Sequence, residues 1–297
     1  MRNTEKSLFA RLHDRYRSGS LKVAVLALLL MALPLPVIPD TLYFSLFNPY
    51  KTWAMTVIIA SISFTGFLAV RFLGHRHGVF ITGAAGGLIS STAVSVTLSK
   101  MFRGRTPLRD AYAAGVAVAC TFMYLRVLLE VWIVDPHLAT LLTPAYLAAA
   151  LSGLAMSLWL YLHRRGEAAL DERNILHDPL QLRESLRFGI LFGIVYGAIV
   201  FVKTRYGEIG VYLVSLFSGV TDVDAVTLSL GDMAKHVTLP QTAAMHGIVI
   251  ASVTNSLVKL GIVFWLGGRT LGLRMAQFFL LTLGLMGAAL YATILYL

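Results

Sequence analysis

Apolar and polar residues alternate along this chain on the scale of whole membrane crossings. Runs of about twenty residues dominated by Leu, Val, Ile, Ala, Gly and Phe, the length that crosses a hydrocarbon core, stand at 21–38, 52–73, 79–99, 110–134, 139–162, 187–204, 207–230, 241–266 and 275–296. The long hydrophilic connection between them is 163–187, HRRGEAALDERNILHDPLQLRESLR. The pattern predicts an all-α membrane protein, a polytopic helical bundle. It has a basic cytoplasmic segment over 1–20, where Leu8, Phe9, Leu12 and Tyr16 gather on one side of a helix, and a first span over 21–38, bent at Pro34 and Pro36. A four-segment unit over 52–163, a cytoplasmic linker over 164–186 and a second four-segment unit over 187–297 follow. No small-x-small cleavage site comes cleanly before Asp40, so the first run reads as an uncleaved span.

The two units are copies of one another. A shift of 132 positions pairs Gly87 with Gly219, Ala93 with Ala225, Val94 with Val226, Leu98 with Leu230 and Gly115 with Gly247. At the centre of the match lie GGLISSTAVSVTLS (86–99) and SGVTDVDAVTLSLG (218–231), and there Ser90 is equivalent to Asp222 and Thr92 to Asp224.

Charge changes the picture of how these segments cross. If all nine run through the membrane from a cytoplasmic N-terminus, the inner connections hold 12 Lys and Arg and the outer ones 11, which ignores the positive-inside bias. If 79–99 and 207–230 instead enter and leave on one side, the split becomes 19 inside to 4 outside, with Arg126 and Lys259 left at membrane depth. This second arrangement has seven spans and two re-entrant or broken segments, and it relates the units by an inverted pseudo-twofold axis, as in many secondary transporters. Its Gly, Ser and Thr content suits broken backbone that lines a cavity or packs in protein. Full crossings are the alternative.

Composition excludes several function classes. With 57% hydrophobic residues, 13% charged and a mean hydropathy of +0.73, the chain cannot keep a soluble surface wet. The net charge of +10 lies in connections without interleaved aromatics, so it reflects topology and not nucleic-acid binding. One cysteine, Cys120, rules out an internal disulfide framework and a thiolate metal site. His75, His77 and His246 lack the spacing of a zinc set, and no nucleophile triad, H-E-x-x-H, P-loop or dinucleotide fingerprint occurs, so neither an enzyme nor a cofactor is expected.

What remains is polar chemistry inside apolar runs. A carboxylate at membrane depth costs about 2.5–3.5 kcal/mol even on insertion scales, so Asp222 and Asp224 need partners or a purpose. They suit a cation or proton site, and the plainer reading is that one of them caps a helix broken at Thr221. Ser90, Ser91 and Thr92 supply oxygens for a hard cation, or with Gly83, Gly86 and Gly87 merely let helices approach. Arg126 and Glu130 are four apart and can neutralise each other, while Asn255 and Lys259 repeat that spacing in the second unit. The two cations then act as counter-ions or gates, or meet an anionic substrate.

The run NPYKTWAMTVIIASISFTGFLAVRFLGHRHGVFITGAAGGLISSTAVSVTLSK, followed by SGVTDVDAVTLS and NSLVK, resembles the integral-membrane domain of unknown function often fused behind an MgtC/SapB region. The likeness runs from about Pro34 onward and implies a bacterial inner-membrane protein. This chain has no room for an MgtC/SapB portion, and the family implies no substrate.

The expectation is a transporter or channel-like carrier of a small ion, a cation slightly favoured, with SSTAVS and DVDAVT meeting near mid-membrane. Substrate or ion-binding residues are then Ser90, Ser91, Thr92, Asp222, Asp224 and Asn255, with Arg126, Glu130 and Lys259 as counter-ions or gates. The alternatives are a carrier of an anionic lipid such as a polyprenyl phosphate and a non-transporting membrane regulator. The lipid bilayer is the expected partner, and self-association into a homo-oligomer stays open.

Overall fold

The computed structural model describes residues 25–26, 28–41, 43, 48–73, 78–103, 106–164, 166 and 182–296. The basic segment 1–20, His75, His77 and most of the 164–186 linker lie outside the described residues. The described residues are helical, without a strand: α1 (Pro49–Leu73), α2 (Val79–Phe102), a single 3-10 turn (Thr106–Leu108), α3 (Arg109–Val134), α4 (Pro136–Leu162), α5 (Leu182–Thr221), α6 (Asp224–Lys235) and α7 (Gln241–Leu295). In the leading run, residues 28–32 are helical and the backbone turns over 33–37, where Pro34 and Pro36 stand; Trp53 Nε1 donates to Met31 O at 2.7 Å, tying this stretch to α1.

Three of the helices are not single rods. A straight 55-residue helix would be about 80 Å long, far beyond a bilayer, and α7 doubles back at Gly268 (φ 79°, ψ 177°). A β-carbon on Gly272 would stand 2.3 Å from the Phe264 ring, so the two arms of α7 lie side by side. Likewise α5 reverses at Gly207 (φ 61°, ψ −143°), and Gly210 meets Val202. Both turns need the left-handed φ that glycine adopts freely. The equivalent α3–α4 corner is made differently, by Asp135. Its side chain accepts from His137 N and Leu138 N, and Pro136 opens the next helix.

The third case is α2, whose length and apolarity match a span, but which folds back at Ser90 (φ −158°, ψ 101°). Gly115 on α3 acts as a ruler. A β-carbon there would be 2.6 Å from Val79 Cγ1 and 2.9 Å from Leu98 Cδ1. Residues nineteen apart on a straight helix would be separated by about 28 Å. Gly83 against Gly115 and Gly87 against Ala119 show the first arm running alongside α3, and Phe102 packed edge-on to Tyr112 shows the second arm returning. The second unit repeats this. Gly247 touches both Ser215 and Leu230, and Gly219 meets Ala251, each contact displaced by 132 from its counterpart. Two re-entrant hairpins therefore exist: α2, and the second arm of α5 with α6.

The units are inverted. Going along α7 from its start, Gln241 bonds Asp135, Ser256 bonds Tyr124 and Lys259 bonds Met123, so α7 runs antiparallel to α3, its equivalent. Tyr124 and Ser256 are themselves 132 apart, and residues equivalent by a twofold that also touch must lie beside its axis. Gly189 against Thr56, one residue from the same relation, marks a second point on the axis, where α1 crosses α5. The hairpins consequently enter from opposite faces.

Around this core the outer surface is apolar, with Phe217, Ile190, Ile209, Trp265 and Leu280 exposed, and among the described residues five helices are long and apolar enough to cross a membrane. The chain is a multi-pass all-α membrane protein. The hairpin geometry sets an expected labelling pattern. On a Cys120→Ser background, cysteines at Arg103 and Thr270 react from one side of the membrane and a cysteine at Val237 from the other. Labelling of all three from one side would refute the inverted arrangement.

Candidate functional site

Each hairpin breaks because a side-chain oxygen replaces the helical ladder at its tip. In the first, Ser90 Oγ accepts from Ala93 N at 3.2 Å; in the second, Asp222 Oδ1 accepts from Asp224 N at 3.1 Å. The equivalent residues Ser90 and Asp222 thus do equivalent work, opening the returning arm as caps do. The ends of the descending arms carry carbonyls without a helical partner, and these are held from outside the hairpins. Ile89 O accepts from Arg126 Nη1 at 3.1 Å, and Gly219 O accepts from Asn255 Nδ2 at 2.9 Å.

Two cations from the paired central helices cross over to the tips. Arg126 of α3 donates through Nε to Glu130 Oε1 at 3.1 Å, one turn on, and its other side forms an ion pair with Asp224 of the opposite hairpin. One guanidinium therefore ties both tips together, through Ile89 and Asp224, using the planar fork that lysine lacks. Lys259 of α7 reaches the other hairpin, donating to Ser91 Oγ at 2.7 Å and lying 2.7 Å from Met123 Sδ. It is 1% exposed, and its partners there are neutral.

Seven residues expected from sequence converge: Ser90, Ser91, Asp222, Asp224, Arg126, Glu130 and Lys259. Two others fill different places. Thr92, half-buried beside the first tip, joins none of these hydrogen bonds, and Asn255 braces the hairpin backbone through its amide nitrogen. The idea that Arg126 and Glu130 serve only each other is replaced by a three-member set including Asp224. The capping role expected of one aspartate falls to Asp222. His246 packs edge-on to Tyr212, and among the described residues no three His, Cys, Asp or Glu side chains gather as a metal site.

Sequence reasoning misses a hydroxyl belt along the axis, where Tyr124 Oη lies 3.1 Å from Ser256 Oγ and Tyr146 Oη 2.6 Å from Ser252 Oγ. It also misses two ion pairs toward the faces, Lys51–Asp232 at 2.8 Å, with Tyr196 donating to the same carboxylate, and Arg274–Asp110 at 3.2 Å. A signal exists for the first: Tyr124 and Ser256 stand 132 apart.

Opposed re-entrant hairpins meeting at a buried charged cluster define a class, the inverted-repeat membrane proteins with broken helices at mid-depth. Within that class, residues 57–267 match the family described as a domain of unknown function, DUF4010, over more than half of the chain, and the protein belongs to that family. It is also similar to an uncharacterized protein of Aquifex aeolicus (strain VF5), with 26% identity over 199 residues, 65% of this chain and 84% of the relative. No solved structure matches.

Proposed function

We propose that this protein is a carrier for a small cation, bound where the two hairpin tips meet, and that it works without enzymatic chemistry. The observation that carries this reading is the charge of the cluster. Among the described residues the carboxylates of Glu130, Asp222 and Asp224 face two cations, Arg126 and Lys259, which leaves one negative charge over in a place where an uncompensated charge is costly. A bound cation restores neutrality, and Ser90, Asp222 and the tip carbonyls offer the oxygens that a hard cation takes. The anionic-lipid reading draws on Lys259, whose hydrogen-bond partners Ser91 and Met123 are neutral, but both cations together are outnumbered by carboxylates. The 19 to 4 distribution of Lys and Arg supports a cytoplasmic N-terminus, and a bacterial cytoplasmic membrane is what the family resemblance implies.

The test is tracer flux into proteoliposomes holding the full chain, with sodium, potassium and rubidium as probes. Saturable uptake of at least one is expected, and Asp222→Asn, nearly isosteric, should abolish it while leaving the protein monodisperse in detergent. Absence of uptake of every probe by the wild type sinks the proposal.

A further inference from the structure

The proposed cation reading leaves a question of what neutralises the cluster between cations, and one atom answers it. Glu130 is fully buried, and its Oε2 has no hydrogen-bond partner among the described residues, whereas its Oε1 is held by Arg126. An ionised carboxylate oxygen buried without a donor is among the most unfavourable arrangements in a protein interior. A carboxylic acid whose proton sits on that oxygen is not.

The other two acids are already engaged. Asp224 is paired with Arg126, and Asp222 accepts the backbone N–H that opens α6. Among the described residues the charged and titratable groups around Glu130 are Arg126 on its own helix, Asp224 on the other side of the same guanidinium, Asp222 from the second hairpin and Tyr146 from α4; Lys259 of α7 acts on Asp222 through space. With Glu130 protonated, two carboxylates balance two cations. With it ionised, one further positive charge is needed.

Resting on that cation reading, we infer that Glu130 is the proton-carrying group of the cycle, and that the cluster exchanges one monovalent cation for one proton. The balance is simple. A cation arriving at the hairpin tips meets the neutral, protonated cluster, the Glu130 proton leaves to water on the same side, and the cluster is neutral again with the cation in place. On the far side the cation departs and a proton returns to Oε2. A divalent cation exchanged for one proton would leave the buried cluster with a net positive charge, so the geometry selects monovalent ions. The exchange moves no net charge across the bilayer.

The experiment uses the full chain in proteoliposomes with an entrapped pH dye, tracer sodium or potassium, and a clamped membrane potential. The expected result is one proton moved outward per cation taken up, at a rate that does not change with the clamped potential. In Glu130→Gln proton counterflow is lost; in Glu130→Asp, which keeps a titratable group, it returns. The proton-to-cation ratio is the informative quantity, because a merely structural role for Glu130 would change rates and not stoichiometry. Cation uptake by the wild type without proton movement overturns this inference and leaves the carrier reading intact. An unchanged ratio in Glu130→Gln overturns the assignment of the proton to that residue. No uptake of either cation by the wild type overturns the carrier reading and, with it, the exchange.

Discussion

Arg126→Gln should destabilise the protein by about 3–5 kcal/mol, the usual consequence of stranding buried partners, because it removes the cation from Glu130 and Asp224 together and frees the Ile89 carbonyl. The check is thermal unfolding in detergent, followed by fluorescence-detected size exclusion. The double variant Arg126→Gln/Glu130→Gln still leaves Asp224 without its partner, and so recovers only part of the loss. Adding Asp224→Asn removes the last stranded charge and should recover most of it. Were the double variant as stable as the wild type, the link from α3 to the second hairpin would not exist, and the pair on α3 would be self-contained.

The second large effect is steric. A β-carbon on Gly83 would stand 2.4 Å from Gly115 O, on Gly87 2.5 Å from Ala119 Cα, and on Gly219 2.6 Å from Ala251 O. In each case the obstacle is backbone, which cannot move aside as a side-chain tip can. Ala at any of these positions should cost about 1–3 kcal/mol, and Val more, since overpacking displaces the helix itself. A displaced hairpin also withdraws its tip, so on the proposed carrier function cation uptake should fall further than folded yield. Gly261→Ala is the control, because open space surrounds that position within α7 and nothing needs to shift. Equal tolerance at Gly83, Gly219 and Gly261 would argue against tight hairpin packing.

Those same glycines mark how much of the fold is legible in the amino-acid sequence. Gly87 with Gly219, Leu98 with Leu230 and Gly115 with Gly247 stand out as a repeat, and they are the points at which each hairpin packs against its central helix. Where the backbones come this close a small residue is kept through duplication, as glycine at Gly87 and Gly219 and at Gly115 and Gly247, while Gly83 is matched by the slightly larger Ser215. The fold-back itself is legible through charge, because a hairpin that returns to its own side keeps Lys100, Arg103 and Arg109 on the face that gathers most of the Lys and Arg. The partners at the tips are not legible. Whether Arg126 meets Glu130 alone or also Asp224 depends on how two distant helices are rotated about their axes, and nothing in local spacing encodes that. Asn255 is misplaced by sequence reasoning for a related cause. A residue type suited to binding an ion is equally suited to holding an orphan carbonyl, and only the nearby end of the descending arm decides between them.

The hydroxyl contact between Tyr124 and Ser256 lies beside the axis that relates the two halves. A rotation leaves the points on its axis where they were and moves the others in proportion to their distance from it. In the carrier cycle proposed above, an exchange of shapes between the two halves would therefore turn about this contact. It need not break, while the ion pairs far from it, Lys51 with Asp232 on one face and Arg274 with Asp110 on the other, would move furthest.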